Sequence, residues 1–230
     1  MSSPNLKQRL QSSGLVLASG NRHKIVEFHR MFDPLGIEVL SAADLGLDLD
    51  VAETADSFRG NAALKAREYY RHLGRPVIAD DSGLVVDALD GAPGVYSARY
   101  GGPDLDDAGR RRFLLGELER VGAASAPANP LSQNDRSARF ICVLALCMGD
   151  AGDGPDEYQA VDSDSGLLYF DGRAEGSILM EERGEGGFGY DPIFLDLESG
   201  KSFAELSPAA KDARSHRGAA LKEFLRRLES

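Results

Sequence analysis

Residues 76–100 read PVIADDSGLVVDALDGAPGVYSARY, and this stretch decides how the rest of the chain is interpreted. The run 77–79 is short, apolar and preceded by a proline, which is typical of a buried strand in a sheet covered on both faces. It ends on Asp80 and Asp81, and a Ser-Gly pair separates them from a second apolar run over residues 84–89. Because successive strand residues point to opposite faces, we expect that Asp80 and Asp81 are not both core residues.

Two interpretations of Asp80, Asp81, Ser82 and Gly83 are open at this stage. Two carboxylates at the end of a buried strand, before a glycine that permits a turn, could hold a divalent cation and an attacking water. The same residue types are also ordinary turn formers and would join two strands without further function. Taken alone, the tetrapeptide favours the plain turn.

Composition limits the classes of partner. The chain of 230 residues has 37 acidic and 26 basic side chains, which gives a net charge of -11. This balance argues against general binding of nucleic acid, which requires a basic surface, but it allows a small anionic ligand in a local basic pocket. No window approaches the length of a membrane-spanning apolar segment, so we expect no membrane partner and, by default, a cytoplasmic location.

The length suits one domain of two lobes, which we place over residues 14–230 after a disordered tail over residues 1–13. Cys142 and Cys147 lie in one apolar run, and the sequence has no further cysteine to complete a zinc site of four thiolates. We predict buried thiols in a reducing compartment.

A strand followed by a capped helix predicts an anion site near the N-terminus. Residues 15–18 are apolar, residues 19–24 read SGNRHK, and a helical pattern follows. Asn21 is a good N-cap, and the free N–H groups and positive end of such a helix attract anions. Lys24 in the first turn opposes the helix dipole, which favours a lysine that meets phosphate. A solvated surface lysine is the alternative.

Apolar periodicity predicts most of the other elements. We predict helices over residues 57–73, 105–121 and near the C-terminus, and strands over residues 37–40, 140–148, 158–161 and 167–170. Glu53 lies in an acidic loop over residues 44–56, and Lys65 lies near the middle of the helix that follows. Residues 122–134, rich in Ala, Ser, Pro and Asn, are predicted to form a mobile insertion.

Residues 184–189, GEGGFG, match the dinucleotide pattern G-x-G-x-x-G. A Rossmann turn must open a helix, whereas Asp191-Pro192 and a strand-like run follow here. We therefore predict a glycine-rich loop that presents Phe188, Tyr190 and Asp191. Residues 200–202 resemble the end of a P-loop but lack its first glycine, so this match is also rejected.

Six motifs in order resemble the inosine triphosphate pyrophosphatase family over nearly the whole chain. They are SGNRHK at 19–24, Glu53 with NAALKA at 61–66, ADDSGL at 79–84, GAPGVYSAR at 91–99, GFGYDPIF at 187–194, and Lys211 with SHR at 215–217. This resemblance favours the functional interpretation of the two aspartates over the plain turn.

The resemblance implies an α/β fold, elongated and two-lobed, with a central twisted mixed sheet flanked by helices and a nucleotide cleft between the lobes. It implies a Mg2+-dependent hydrolase, usually a homodimer, in which water attacks the α-phosphorus of a nucleoside triphosphate. The products would be the monophosphate and pyrophosphate, and the expected substrates are ITP, dITP and XTP, so that the enzyme cleanses the nucleotide pool.

The resemblance also implies site residues. Asp81, Asp80 and Lys24 are the expected catalytic residues, and Glu53 and Asp81 the expected metal ligands. Asp81 matches both a metal ligand and the base that takes a proton from water, and these two roles compete. The expected substrate contacts are Ser19, Gly20, Asn21, Arg22, His23, Lys24, Lys65, Ser82, Phe188, Gly189, Tyr190, Asp191, Lys211, His216 and Arg217.

Base selectivity has a physical basis in this set. Hypoxanthine and xanthine carry a 6-oxo acceptor where adenine carries an amino donor, so a donor pair such as His216 and Arg217 would be left unpaired by adenine. A plain surface histidine is the alternative for His216. Two rival functions are a pyrophosphatase of other modified nucleotides and a nucleotide sensor without turnover.

Overall fold

The computed structural model describes residues 5–47, 49–125, 136–149 and 166–229. Within these residues the chain forms a mixed sheet with flanking helices, which confirms the predicted α/β class. The strands are Leu15–Leu17 (β1), Val39–Ser41 (β2), Val77–Val86 (β3), Ser137–Cys147 (β4), Leu167–Ile178 (β5), Phe194–Asp196 (β6) and Lys201–Ser202 (β7). The helices are Leu6–Ser13 (α1), Arg22–Phe32 (α2), Phe58–Leu73 (α3), Asp107–Ser125 (α4), Pro208–Arg214 (α5) and His216–Glu229 (α6).

The strand order among the described residues is β2-β1-β3-β4-β5-β6-β7. β1 runs parallel to both of its neighbours, with Leu17 opposite Ser41 of β2 and Ile78 of β3. β6 runs antiparallel to both of its neighbours, β5 and β7. The carboxyl ends of β1 and β3 therefore lie at the same edge of the sheet, and this places the start of α2 beside the residues that follow Ile78.

The chain divides into two compact units. The first comprises residues 1–81, 142–172 and 220–230, and the second comprises residues 82–141 and 173–219. The core of the first unit packs β1 and β4 against α1, α2 and α6. It is centred on fully buried side chains that include Leu15, Leu17, Phe28, Phe32 and Phe224.

The core of the second unit is aromatic. Phe140 of β4 lies 4.7 Å from Phe194 and 5.9 Å from Phe203, measured between ring centroids. Leu114 and Leu118 of α4 are fully buried in the same cluster. Tilted and stacked ring contacts of this kind stabilise a core beyond the area that they bury.

The prediction of a disordered tail over residues 1–13 is wrong for Leu6–Ser13, which form α1. Leu6 and Leu10 lie one turn apart and are both buried in the core of the first unit. Asn5 and Gln8 form a reciprocal capping box at the helix start. Two apolar residues in eight give only a weak periodic signal in the sequence. In the folded protein they are enough to anchor α1 to the core. Residues 1–4 lie outside the described residues.

The predicted break at Ser82 and Gly83 is also wrong. β3 runs without interruption from Val77 to Val86, so the pairing of the sheet overrides the local turn preference of these residues. Asp80 and Asp81 are both buried, at 1% and 6% exposure, against the expectation that one of them faces away from the core.

Other predicted bounds shift modestly. The helix expected at 105–121 extends over Asp107–Ser125, so residues 122–125 of the predicted mobile insertion are helical, while residues 126–134 lie outside the described part. The strand at 140–148 begins earlier, at Ser137. The strand at 167–170 continues to Ile178, and its predicted partner at 158–161 is not among the described residues. No helix in the described part of the chain is long and apolar enough to cross a membrane.

Candidate active site

Two adjacent carboxylates are buried on opposite faces of β3 because each contacts its own ammonium group. Lys24 Nζ forms an ion pair with Asp80 Oδ1. Lys65 Nζ lies 3.2 Å from Asp81 Oδ1. Burying an unpaired carboxylate is strongly unfavourable, so these lysines are what allows both aspartates inside the first unit.

Both oxygens of Asp80 have donors within the protein. Oδ1 accepts from Lys24, and Oδ2 accepts from the thiol of Cys142 on β4 at 3.2 Å. The side chain of Asp80 has no solvent exposure, whereas that of Lys24 is 17% exposed. Asp80 is thus an internal counter-ion whose lone pairs point at protein donors.

Lys24 reaches Asp80 because Asn21 fixes the start of α2. Asn21 Oδ1 accepts from the backbone N–H groups of His23 at 2.9 Å and Lys24 at 3.2 Å, as its sequence position predicts. Ser19 Oγ accepts from the N–H of Asn21 at 3.2 Å, which tightens the turn that leads into the helix. The alternative of a solvated surface Lys24 is wrong.

The rest of this turn faces solvent. Gly20, Asn21, Arg22 and His23 are exposed, and Ser19 is half-buried. Exposed polar groups and backbone N–H groups at a helix start, beside the ammonium of Lys24, are suited to an anion.

Lys65 links the two predicted metal ligands. From the middle of α3 its Nζ donates to Glu53 Oε1 at 2.8 Å, to the Asp80 carbonyl oxygen at 2.8 Å and to Asp81 Oδ1 at 3.2 Å. The three donors of one ammonium are therefore directed at three oxygens of one small site.

Electrostatics distinguish the members of this cluster. Burial raises the pKa of Asp81, and the charge of Glu53 adds to that effect, although Lys65 opposes it. Burial alone would lower the pKa of Lys65, but the charges of Asp81 and Glu53 outweigh it and raise that pKa. Lys65 therefore holds its proton more firmly than an exposed lysine, and burial makes Asp81 harder to ionise than an exposed aspartate.

The unsatisfied atom of the cluster is Asp81 Oδ2. It is buried and has no hydrogen-bond partner among the residues that the structure describes. A buried oxygen without a hydrogen bond costs free energy of folding unless a ligand supplies the missing contact. With Glu53, whose side chain is 28% exposed, it offers the carboxylate oxygens that Mg2+ prefers, so the residues present fit this ion.

The described residues contain no group of three or more His, Cys, Asp or Glu side chains arranged to hold a metal ion. Ser82 follows Asp81 in β3 and is half-buried.

A second cluster lies within the second unit, around the glycine-rich loop. Asp191 Oδ2 accepts from the N–H of Phe188 at 2.8 Å and pairs with Lys211 Nζ at 2.6 Å. Lys211 Nζ also lies 4.8 Å from the centroid of the Phe188 ring, and the guanidinium of Arg217 lies 5.4 Å from it. Gly187 has φ +71°, and an added Cβ would overlap the Asp191 carboxylate, so glycine is required there.

His216 is not a surface histidine. Its ring is stacked on Phe140 with centroids 4.7 Å apart and an interplanar angle of 12°. His216 and Arg217 are 3% and 4% exposed. Basic side chains are seldom buried in proteins, which makes these two candidates for a functional role.

Tyr190 and Gly189 have roles that the sequence did not indicate. Tyr190 is buried in the core, its hydroxyl donates to the Ser97 carbonyl at 2.9 Å, and burial raises its pKa. Its hydroxyl is thus used within the protein, and its contact with substrate stays a prediction. Gly189 is held by α4, since its N–H donates to Asp107 and its carbonyl accepts from Arg111, each at 2.8 Å.

Sequence reasoning missed four residues that support these clusters. Cys142 contacts Asp80, Asp107 and Arg111 hold the loop, and Asn61 Oδ1 accepts from the N–H of Ala55 at 3.0 Å near Glu53. A polar Asn61 on the buried side of α3 was a usable signal. The spacing of Asp107 and Arg111, one helical turn apart, was another, but nothing local connected them with residue 189.

Known proteins are similar to this chain in sequence and in fold. Residues 15–227 match the model of the Ham1 family. The dITP/XTP pyrophosphatase of Geobacillus kaustophilus is 46% identical over 91% of this chain and 91% of that protein. The dITP/XTP pyrophosphatase of Bacillus licheniformis is 41% identical over 91% of this chain and 95% of that protein.

Solved structures of Ham1 proteins have a fold similar to that of this chain. A HAM1 protein from Coxiella burnetii matches with a TM-score of 0.76 and 38% identity, over 94% of this chain and 98% of the other. The Ham1 protein of Staphylococcus aureus matches with a TM-score of 0.73 and 36% identity, over the same shares of the two chains. A match of sequence and fold that spans almost the whole length of both proteins leaves one conclusion: this chain belongs to the Ham1 family.

Proposed function

We propose that this protein is a Mg2+-dependent pyrophosphatase that hydrolyses dITP, XTP and ITP to the monophosphate and pyrophosphate. The observation that carries the proposal is the first cluster, where Asp81 presents an unsatisfied oxygen next to Lys65 and where Lys24 is held at the start of α2. The two curated relatives described above, which are named dITP/XTP pyrophosphatases, support the choice of substrates.

Glu53 and Asp81 are the proposed ligands of Mg2+, which when bound would offset the charge of the triphosphate and lower the pKa of an attacking water. Lys24, on the exposed side of Asp80, is proposed to contact the phosphates at the helix start. Lys65 is proposed to turn from the carboxylates towards the phosphates when substrate is present. Pyrophosphate gains charge as it leaves, and fixed cations stabilise that charge.

We propose that Asp81, and not Asp80, is the residue that engages water or metal. Both oxygens of Asp80 already accept from Lys24 and Cys142, whereas Asp81 Oδ2 has no partner among the described residues. We therefore propose that Asp80 is a positioning residue. It holds Lys24, which contacts the substrate, and does not itself touch the reacting atoms.

We propose that the second cluster binds the 6-oxopurine base of the substrate. The ring of Phe188 offers a stacking surface, and Lys211 and Arg217 lie near it. We propose His216 and Arg217 as donors to the 6-oxo group, a contact that adenine with its 6-amino group cannot make. A missing partner for a buried donor disfavours the wrong base by about 1–3 kcal/mol.

We further propose that the enzyme is a cytoplasmic homodimer. The family resemblance supports the dimer, and the two buried free cysteines are consistent with a reducing compartment. Sedimentation equilibrium at micromolar concentration tests the dimer directly, because a homodimer has twice the mass of the 230-residue chain.

The products from dITP in water enriched in oxygen-18 test the proposed reaction. We expect dIMP and pyrophosphate, with the label in dIMP, because water attacks the α-phosphorus. The appearance of dIDP and orthophosphate would exclude the proposal. A panel with ITP, XTP, GTP, dTTP and UTP separates this activity from a pyrophosphatase of other nucleotides. A sensor would bind dITP without releasing pyrophosphate, and Asp81→Ala would behave like the wild type in both respects.

A further inference from the structure

The Cys142 thiol occupies a position that neither the sequence motifs nor the proposed reaction explains. It is fully buried on β4 and donates to Asp80 Oδ2 at 3.2 Å. The other oxygen of the same carboxylate holds Lys24. Cys142, Asp80 and Lys24 therefore form a continuous series of contacts from the core of the first unit to the start of α2.

We propose that Cys142 is a positioning residue for the reaction: by donating to Asp80 it fixes the carboxylate that holds Lys24 against the triphosphate. The inference rests on the proposed function and deepens it. Cys142 touches neither substrate nor metal in this proposal, so its whole effect passes through Asp80 to Lys24.

The physical reason lies in the torsional freedom of aspartate. The terminal torsion of an Asp side chain is broad, so a donor to one oxygen alone leaves the plane of the carboxylate poorly defined. A donor on each oxygen defines the plane, and with it the direction from which Lys24 is held. A fixed cation stabilises developing charge better than one that must reorganise during the reaction.

A thiol is suited to this task. It is a weak, neutral donor, so it orients Asp80 without competing with Lys24 for the role of counter-ion. A buried cysteine otherwise behaves as a small apolar residue, and the hydrogen bond to a carboxylate is what separates Cys142 from that ordinary role.

Cys147 is a matched control on the same strand. It is 2% exposed, and its thiol lies 3.6 Å from the Gly149 carbonyl. Substitution of either cysteine by alanine removes the same atom from a buried position of β4. A purely structural effect would therefore be similar in the two variants.

The test is steady-state kinetics of pyrophosphate release from dITP for Cys142→Ala, Cys142→Ser and Cys147→Ala. We expect Cys142→Ala to lower kcat about 3- to 10-fold with little change in KM, since the lost contact acts on charge that develops in the transition state. Cys142→Ser retains a donor and should recover most of the loss, and Cys147→Ala should match the wild type. Equal kcat values for the two alanine variants, or a serine variant as slow as Cys142→Ala, would overturn the inference.

A spectroscopic measurement covers the case in which Cys142→Ala does not fold. The infrared S–H stretch of Cys142 should shift in Asp80→Asn, because a neutral amide replaces the carboxylate acceptor, while the Cys147 band stays in place. An unshifted Cys142 band would overturn the inference. If the wild type releases no pyrophosphate from dITP, the proposed function itself fails, and the two failures are thus distinguishable.

Discussion

Asp80 and Asp81 are neighbours in sequence, but their carboxylates have different hydrogen-bond and charge partners. Asp80 accepts from a lysine and a thiol, and Asp81 shares one lysine with Glu53 and keeps one oxygen without a partner in the described structure. The sequence predicts that the pair is functional, and the family resemblance makes Asp81 an expected metal ligand, but no pattern predicts the contacts that distinguish the two side chains. The partners that decide this lie 56 and 62 residues away from Asp80, so no local pattern contains the information.

Lys65 should compete with Mg2+ for the carboxylates of the free protein. Its ammonium contacts both Glu53 and Asp81, so a cation that binds both must first displace it. We expect Lys65→Met to bind Mg2+ about 10-fold more tightly in the absence of nucleotide, which corresponds to about 1.4 kcal/mol. Isothermal titration calorimetry measures this affinity.

Lys24→Met is the control for Lys65→Met, because it removes a nearby positive charge whose ion pair is with Asp80. It should strengthen Mg2+ binding clearly less. Equal gains in the two variants would show that general charge repulsion, not competition for the same oxygens, governs metal affinity.

The raised pKa of Asp81 predicts a specific dependence of stability on pH. Burial favours the protonated form in the folded metal-free protein. The stability that this group contributes is therefore complete below the unfolded pKa of about 3.9 and is lost as the pH rises through the higher folded pKa. Asp81→Asn cannot ionise. Urea unfolding should show the free energy of unfolding of the wild type, minus that of the variant, falling as the pH rises from about 4. A difference that rises with pH would contradict the account.

At the scale of elements, caps and long periodic patterns were predictive, and short or buried elements were not. Asn21 caps α2, and the expected helix at 57–73 is α3, capped by Ser57, because local side-chain contacts decide such ends. The uninterrupted course of β3 depends on pairing with strands distant in sequence, so its local turn residues misled the prediction. α1 was missed because only two of its side chains are buried.

Leu10→Ala tests whether α1 is part of the fold or a tail. Leu10 is fully buried in the core of the first unit. We expect the free energy of unfolding to fall by about 2–5 kcal/mol, the usual range for a buried leucine replaced by alanine. Lys7→Ala, at an exposed position of the same helix, should change it by less than about 0.5 kcal/mol. Urea denaturation of both variants measures these changes. Equally small changes in the two variants would indicate that α1 is a tail and not part of the fold.

At the scale of the whole molecule, the order of the motifs along the chain predicted more than any single element did. Each motif alone is weak, but the Ham1 family match over residues 15–227 confirms that they belong together. The fold class followed from the same resemblance and is confirmed by the mixed sheet. The homodimer, the cytoplasmic location and the use of Mg2+ stay predictions. They concern a second subunit, a compartment and a metal ion, and none of these is part of a single chain.

The net charge of -11 explains why the cations of the two clusters matter. A triphosphate approaching a protein of this charge is repelled by the surface as a whole, so fixed local cations are needed to hold it. Lys24, Lys65, Lys211 and Arg217 are each partly or fully buried, and each contacts an acidic or aromatic side chain that sets its position.

The rate of pyrophosphate release from dITP by Asp81→Asn tests the central claim most directly. This claim is that Asp81, on β3, completes a metal and phosphate site with Glu53, Lys24 and Lys65. The substitution keeps the shape of the side chain but removes the charge, so we expect kcat to fall at least about 1,000-fold. dITP binding should persist. A variant that keeps its activity within about tenfold of the wild type would contradict the account.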